Sequence, residues 1–450
     1  MGVRFDATPL IYFWQYLDPE LLRTDLARSV FFLHSQPPLF NLFLGAVLRA
    51  VPGAPDVAFA ACYAAMTLGL LLSMAWLMRR LGVSEPLAVV LVTVYALHPT
   101  FIIHGHWLFY TLPVGLLLVL TTVALWRWAE TGRARFAQLF AWLAGAVMLT
   151  RASYHALWFV AVVTALLPIL VRSRRRHLLL AAIGPFLVVN LWYAKNLAQV
   201  GVYGPSSWLG MNLARHWELP QEEASRLVEQ GRLPPVWTRE PFLSEAHYSD
   251  LGYFAAGERG RGHPALDAPY RSTGQPNYNH RDYARISRDM FSGGMALIAA
   301  EPLRYLERVG RAFTLFVDPG PGLLLVTYDV TRLKQFAAAW QRVLSLGVLA
   351  FALPVVVISS LILAARRTTP VPARTALMFA GVTVIWIGLC TSLVEQGEND
   401  RMRAELDPLL VVLAGLILAR AITYCRRGTS TVEPLPEHAA EPSAADAAAE

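Results

Sequence analysis

Long apolar runs separated by short, arginine-bearing breaks organise the chain. A helix needs about 20 mostly apolar residues to cross a bilayer, because every backbone group in lipid must be bonded within the segment. Runs near that length fall at 57–78, 87–103, 107–128, 177–198, 343–364, 375–394 and 406–424. Two shorter runs, 136–150 and 155–171, flank the polar stretch around Arg151 and read as a close-set pair. Together they predict nine spans. The run at 39–51 is too short to span and reads as a surface or re-entrant helix.

This pattern divides the chain into a first loop (1–56), a six-span bundle (57–198), a polar unit (199–340), three further spans (341–424) and a tail (425–450). In the first loop, Thr8-Pro9 and Asp18-Pro19-Glu20 carry helix-start signals, an N-cap followed by proline at the first helical position. The polar unit closes with two amphipathic segments. In 281–291, Tyr283, Ile286 and Met290 share a face; in 301–316, Arg304, Glu307, Arg308 and Arg311 oppose Leu303, Leu306 and Phe313. Arginine-bearing helices of this kind commonly lie in the membrane interface. The Ala-, Glu- and Pro-rich tail after Arg427 has the composition of a disordered segment.

Composition agrees with lipid as solvent: 55% of the 450 residues are hydrophobic and 16% charged, with a mean hydropathy of +0.41. The net charge of +7 is a topology signal rather than a nucleic-acid footprint. Its arginines cluster in short breaks: Arg79 and Arg80; Arg127, Arg133 and Arg135; Arg172, Arg174, Arg175 and Arg176; Arg366, Arg367 and Arg374; Arg426 and Arg427. These breaks share one face if the spans alternate, and the positive-inside rule makes it cytoplasmic. The N-terminus and the 199–340 unit are then external. An external N-terminus lacking an export signal leads us to expect a further span upstream of Met1. No basic stripe with interleaved aromatics marks a nucleic-acid surface. The three cysteines, Cys62, Cys390 and Cys425, form no metal-ligand or disulfide pattern.

Chemistry-bearing residues gather at span ends on the external side. Arg4-Phe5-Asp6 joins His34-Ser35-Gln36-Pro37-Pro38; His104-Gly105-His106 precedes Tyr110; Arg151 follows Thr150; Lys195-Asn196 and Glu398-Asn399-Asp400-Arg401-Met402-Arg403 complete the set. Arginines neutralise phosphate and a carboxylate takes a proton, which suits a lipid-phosphate substrate at headgroup depth. Plainer readings stand beside this one. Asp18 reads as an N-cap, Asp25 as a solvated helix face, Asp6 as either a base or a turn residue. His104 and His106 read equally as interfacial histidines. Arg151 is the hardest to dismiss, because it places a positive charge on the side where such charge is disfavoured. The aromatics Trp107, Tyr110, Trp158, Trp192 and Tyr193 read as interface anchors.

These motifs resemble the GT-C membrane glycosyltransferases, closest to the dolichyl-phosphate-mannose protein mannosyltransferase and aminoarabinose transferase group. His34-Ser35-Gln36-Pro37-Pro38-Leu39 resembles that family's H-x-x-P-P-L segment, with Phe5-Asp6 where its loop carboxylate stands. Leu149-Thr150-Arg151 and Trp192-Tyr193-Ala194-Lys195-Asn196 followed by Gly201 and Ser206-Ser207 match later motifs, and Arg401-Met402-Arg403 ahead of Pro408 matches the last. The resemblance covers about positions 4–424. It implies an all-α polytopic membrane protein, a GT-C-like helical bundle with an external (periplasmic) loop unit. It further implies inverting transfer of a sugar from a polyprenyl-phosphate donor to a hydroxyl acceptor (a lipid, glycan or protein). Asp6 would be the general base; Arg151, Lys195, Arg401 and Arg403 would hold the donor phosphate. His34, Gln36, His104, His106, Tyr110, Asn196 and Glu398 would line the substrate pocket.

Three departures qualify the match, the first being that the family's first span would have to be the one expected upstream of Met1. The second acidic residue common in the family is replaced by His104-Gly105-His106, so a divalent metal ion would need His104 or His106 as an unusual ligand. Lys195 stands where the family has arginine, losing the bidentate fork. A transporter or flippase of a lipid-linked glycan is the competing class, and a non-catalytic scaffold the third. Transporters place charge near the midplane and carry internal repeats, and neither pattern occurs here.

Overall fold

The computed structural model describes residues 4–255, 262–317 and 348–429. The last part of the 199–340 unit, the start of the 343–364 run and the tail beyond residue 429 lie outside the described residues. Among the described residues the fold is all-α, with isolated bridges at Asp6–Trp107 and Tyr270–Pro276. The first loop holds α1 (Pro9–Tyr12), α2 (Pro19–Thr24), α3 (Leu26–Phe31) and α4 (Pro38–Ala50). The bundle follows with α5 (Pro55–Arg80), α6 (Glu85–Ala96), α7 (Pro99–Gly105), α8 (Thr111–Thr131), α9 (Ala134–Met148), α10 (Ala156–Leu166) and α11 (Arg172–Val200). The polar unit contributes α12 (Leu209–Trp217), α13 (Gln221–Glu229), α14 (Pro264–Asp267), α15 (Arg281–Ala300) and α16 (Pro302–Val317). The chain re-enters the bundle with α17 (Val348–Ala365), α18 (Val371–Val394), α19 (Asn399–Ala404) and α20 (Asp407–Thr429).

Five helices, α5, α8, α11, α18 and α20, are long and apolar enough to cross a membrane, and six if α6 and α7 together make one span. Four apolar helices are shorter, Pro38–Ala50, Ala134–Met148, Ala156–Ile169 and Ala352–Ala365. Each of the nine predicted runs falls on this set, and Pro38–Ala50 is the segment read as surface or re-entrant. The chain is a multi-pass membrane protein. Large apolar side chains face outward along the long helices, among them Leu68 and Leu72 on α5, Leu187 and Leu191 on α11 and Leu389 on α18. Contiguous apolar surface of this extent is what lipid covers.

The run at 87–103 is broken rather than continuous. It is two helices bent by 68°. Pro99 is the cause: it lacks an N–H and disfavours helical geometry at His98, which instead adopts φ −67°, ψ 130°. His98 then caps α7, its ring accepting from the Thr100 N–H at 3.3 Å.

Glycines set the closest helix contacts. A Cβ on Gly145 of α9 would meet Pro185 of α11 at 2.9 Å, so glycine lets that helix pair close. Gly210 of α12 lies still nearer α15, where a Cβ would overlap the Ser287 carbonyl oxygen at 1.7 Å. That second contact ties the polar unit into a core of its own, built on Trp208, Met211, Trp217, Trp237, Tyr248, Tyr283, Ile286 and Met290. Tyr283, Ile286 and Met290 are the face read from the sequence, and all three are fully buried. On α16 the polar stripe pairs with the same unit: Arg304 with Glu223 at 2.6 Å and Glu301 at 3.1 Å, Arg308 with Glu218 at 2.7 Å. Leu303, Leu306 and Phe313 stay exposed on the opposite face.

The first loop is strapped to this unit by buried hydrogen bonds. Asn279 Oδ1 accepts from the His34 and Ser35 backbone N–H groups at 2.9 and 3.0 Å, while its Nδ2 donates to the Phe32 and Ala265 carbonyls. Arg271 donates to the Phe13 and Tyr16 carbonyls. Asp18 caps α2 as predicted, accepting from the Glu20 N–H at 2.9 Å, and also accepts from the Ser272 N–H and hydroxyl. Asp25, read as solvated, lies 3.3 Å from His263 Nε2 and 3.8 Å from Arg28.

Candidate functional site

A cavity of about 690 Å³ opens between the bundle and the polar unit. The end of α1 and the residues after it supply Tyr12, Phe13, Trp14 and Gln15 to its wall, and the loop between α9 and α10 supplies Arg151 and Ser153. The polar unit adds Trp208, Asn212, Arg215 and Phe242; the end of α18 and the turn into α19 add Trp386, Glu395, Glu398 and Arg401. Trp14 stacks on Phe242 with ring centroids 5.3 Å apart, so an aromatic wall joins the two parts.

Arg151 is held by its neighbours. The Tyr110 hydroxyl accepts from its Nη1, the guanidinium sits 4.7 Å over the Tyr110 ring, and Nε lies 3.1 Å from Glu405 Oε1. That contact is ionic without hydrogen-bond alignment, for Nε, Nη2 and both Glu405 carboxylate oxygens have no hydrogen-bond partner. A positive charge at Arg151 calls for a bound anion or a carboxylate, and the structure supplies a fully buried carboxylate, Glu405.

Arg401 donates to Glu398 Oε2 at 2.5 Å and lies 4.5 Å over the Phe109 ring. The segment carrying these residues is fixed by Asn399, whose Nδ2 donates to the Thr391 and Glu395 carbonyls and whose Oδ1 accepts from the Gly397 N–H. Gly397 has φ +115°, a conformation L side chains rarely adopt, so glycine is required where the chain leaves α18. Three guanidinium groups (Arg151, Arg215, Arg401) and two carboxylates (Glu395, Glu398) line the cavity, leaving it receptive to an anion.

Of the predicted residues, Gln36, Tyr110, Arg151, Glu398 and Arg401 line this cavity. The other predicted residues are not among those that line it. Lys195 donates to the Leu33 carbonyl and lies 3.5 Å over the Trp192 ring. Arg403 pairs with Asp407 at 3.1 Å and donates to the Phe316 carbonyl. The four cations read as one phosphate clamp are therefore two on the cavity wall and two holding the frame. Asn196 donates to the Gly204 carbonyl, and His34 Nδ1 lies 2.8 Å from the Ser207 hydroxyl. Burial pushes the His34 ring down to about 3, so it stays neutral and serves as a clamp. His106 Nδ1 lies 2.8 Å from the Ile102 carbonyl; His104 borders a separate void of about 10 Å³. Among the described residues no three His, Cys, Asp or Glu side chains come together as metal ligands.

Asp6 also stands outside the lining residues. Its backbone brackets the strand-like residue Trp107, donating to the His106 carbonyl at 2.7 Å and accepting from Leu108 at 2.9 Å. Its Oδ1 accepts from both the Thr8 N–H and the Thr8 hydroxyl. The expected Thr8 cap is thereby reversed: Thr8 is helical and makes no side-chain cap, and Asp6 is the residue that closes the turn into α1. The sequence reading missed Glu395, Glu405 and Arg215. The first two were legible as acids at the edges of the polar break between the apolar runs 375–394 and 406–424. Arg215 had no signal, because only tertiary packing brings α12 to the end of α18. No family model, curated protein or solved structure matches this chain.

Proposed function

We propose that the chain is a membrane glycosyltransferase that moves a sugar from a polyprenyl-phosphate donor to a hydroxyl acceptor. The observation that carries this reading is the cavity itself. Its volume of about 690 Å³ is within the usual range for a small-molecule site, and two buried guanidinium groups meet aromatic side chains in its wall. Arg151 and Arg401 suit a phosphate because each keeps at least one buried N–H without a hydrogen-bond partner, Nη2 on Arg151 and Nε on Arg401. The apolar side chains Leu157, Leu209, Trp386 and Val394, also in the wall, suit the first units of a polyprenyl chain. Trp14, Trp208 and Phe242 offer flat faces to a sugar ring.

Transfer asks three things of the protein. The leaving phosphate gains charge as the bond to the sugar carbon breaks, and preorganised guanidinium groups stabilise that charge. The acceptor must be held against the opposite face of the sugar, as inversion requires. Its hydroxyl proton must go to a base. The test is turnover: purified full-length protein in nanodiscs should release polyprenyl phosphate from one member of a panel of polyprenyl-phosphate hexoses and pentoses, with cell-envelope extract as acceptor. A protein that moves such lipids between leaflets of a proteoliposome without consuming them would instead be a flippase.

A further inference from the structure

We propose that Glu395 is the general base that takes the acceptor's proton, an assignment that rests on the glycosyltransferase reading. Three carboxylates compete for the role. Asp6 is not among the residues that line the cavity, and its Oδ1 accepts both Thr8 hydrogen bonds. Glu398 lines the cavity, but its Oε2 already accepts from Arg401 at 2.5 Å. Glu395 lines the cavity, is buried, and has an oxygen, Oε1, with no hydrogen-bond partner. Its ion-pair contact, Arg215 Nη1, is 3.7 Å away, beyond hydrogen-bond reach.

The position is set by three elements. Glu395 caps the C-terminus of α18, its own N–H bonded to Thr391 and its carbonyl accepting from Asn399. Around the carboxyl stand Arg215 on α12, Glu398 and Arg401 from the α19 segment, and Arg151 from the α9–α10 loop. A buried carboxyl with no strong hydrogen bond is a better proton acceptor than one already paired. In the step, the acceptor oxygen forms a bond to the sugar's anomeric carbon as its proton passes to Glu395. The bond from that carbon to the phosphate oxygen breaks, and polyprenyl phosphate leaves with the electron pair. The proton then passes from Glu395 to water.

Two measurements test this. The first uses N,N′-dicyclohexylcarbodiimide, an apolar reagent that adds to protonated carboxyl groups, on the native full-length chain in liposomes. Peptide mapping should place the adduct on Glu395, little on Glu398, with protection by added polyprenyl phosphate. Modification of Asp6 or Glu398 in its stead, or a Glu395 unmodified at every pH, overturns the assignment. The second is turnover of Glu395→Gln, expected to fall at least about 100-fold with donor binding retained, the usual worth of a positioned base. Native turnover with an equally active Glu395→Gln sinks the base and leaves the transferase reading standing. No turnover by the native chain across the donor panel sinks both.

Discussion

Arg151 and Glu405 form an ion pair 3.1 Å long, with 7% and 0% of their side chains exposed, between the α9–α10 loop and the turn before α20. The pair ties the two halves of the bundle together at the cavity wall. It also changes what a substitution at Arg151 means, since removing one partner leaves the other charge buried alone.

Breaking this pair should therefore cost stability as well as function. Arg151→Ala and Glu405→Gln are each expected to destabilise by about 3–5 kcal/mol, while Arg151→Met combined with Glu405→Gln recovers much of the loss. Thermal unfolding in detergent measures it. Single variants that melt with the native protein would mean water reaches the pair.

Donor use gives a second readout for the same residue. Where Arg151→Lys still folds, its use of the donor should drop by roughly 10-fold or more, the worth of a charged hydrogen bond. Lysine keeps the charge but loses the fork. Steady-state kinetics over a range of donor concentrations checks this.

The pH profile follows from Glu395. Burial pushes its carboxyl up to about 7 against the opposing pull of Arg215, Arg401 and Arg151. A base works when ionised, so kcat/KM should rise with pH through about 7 and then level, and Glu395→Gln should lack that limb. Stability runs the other way. The folded chain binds a proton that the unfolded chain releases near 4.5, so this residue's contribution declines as pH rises from about 4.5 through about 7. Opposite slopes in activity and melting temperature are the expected pair of curves.

Asp6 and Glu395 can be set against each other directly. Asp6→Asn keeps an acceptor for the Thr8 N–H and hydroxyl, whereas Glu395→Gln removes the proton acceptor. The loss of turnover should be at least about tenfold larger in Glu395→Gln. The reverse order would return the base to the first loop, where the family resemblance puts it.

The strap between the first loop and the polar unit predicts a stability defect remote from the cavity. Asn279→Ala strands two buried N–H groups, of His34 and Ser35, at about 1–3 kcal/mol each. Limited proteolysis should cut the first loop faster in this variant. Unchanged cleavage would show that Arg271 and Asp18 hold the loop without Asn279.

The helices were legible in the sequence because they coincide with apolar runs, most of them near the length a bilayer asks for, and the buried face of α15 because its period is helical. The bend at His98-Pro99 was legible too, yet the apolar run around it hid the break. In the site, the motifs found the right loops but not which side chains turn inward. Lys195 and Arg403 carry the same charge as Arg151 and Arg401. What separates them is whether a carbonyl or carboxylate of the frame lies nearer than the cavity, and spacing does not encode that. Asp6 shows the limit from the other side: a short polar side chain two residues before Thr8 serves the turn first.

The Arg151–Glu405 contact has a consequence for synthesis. A ribosome adding about 5–20 residues per second completes Glu405 roughly 13–50 s after Arg151. Throughout that interval the guanidinium lacks its carboxylate and has to stay in water or against the insertion machinery. A chain truncated before Glu405 lacks the carboxylate that pairs with Arg151 in the folded protein.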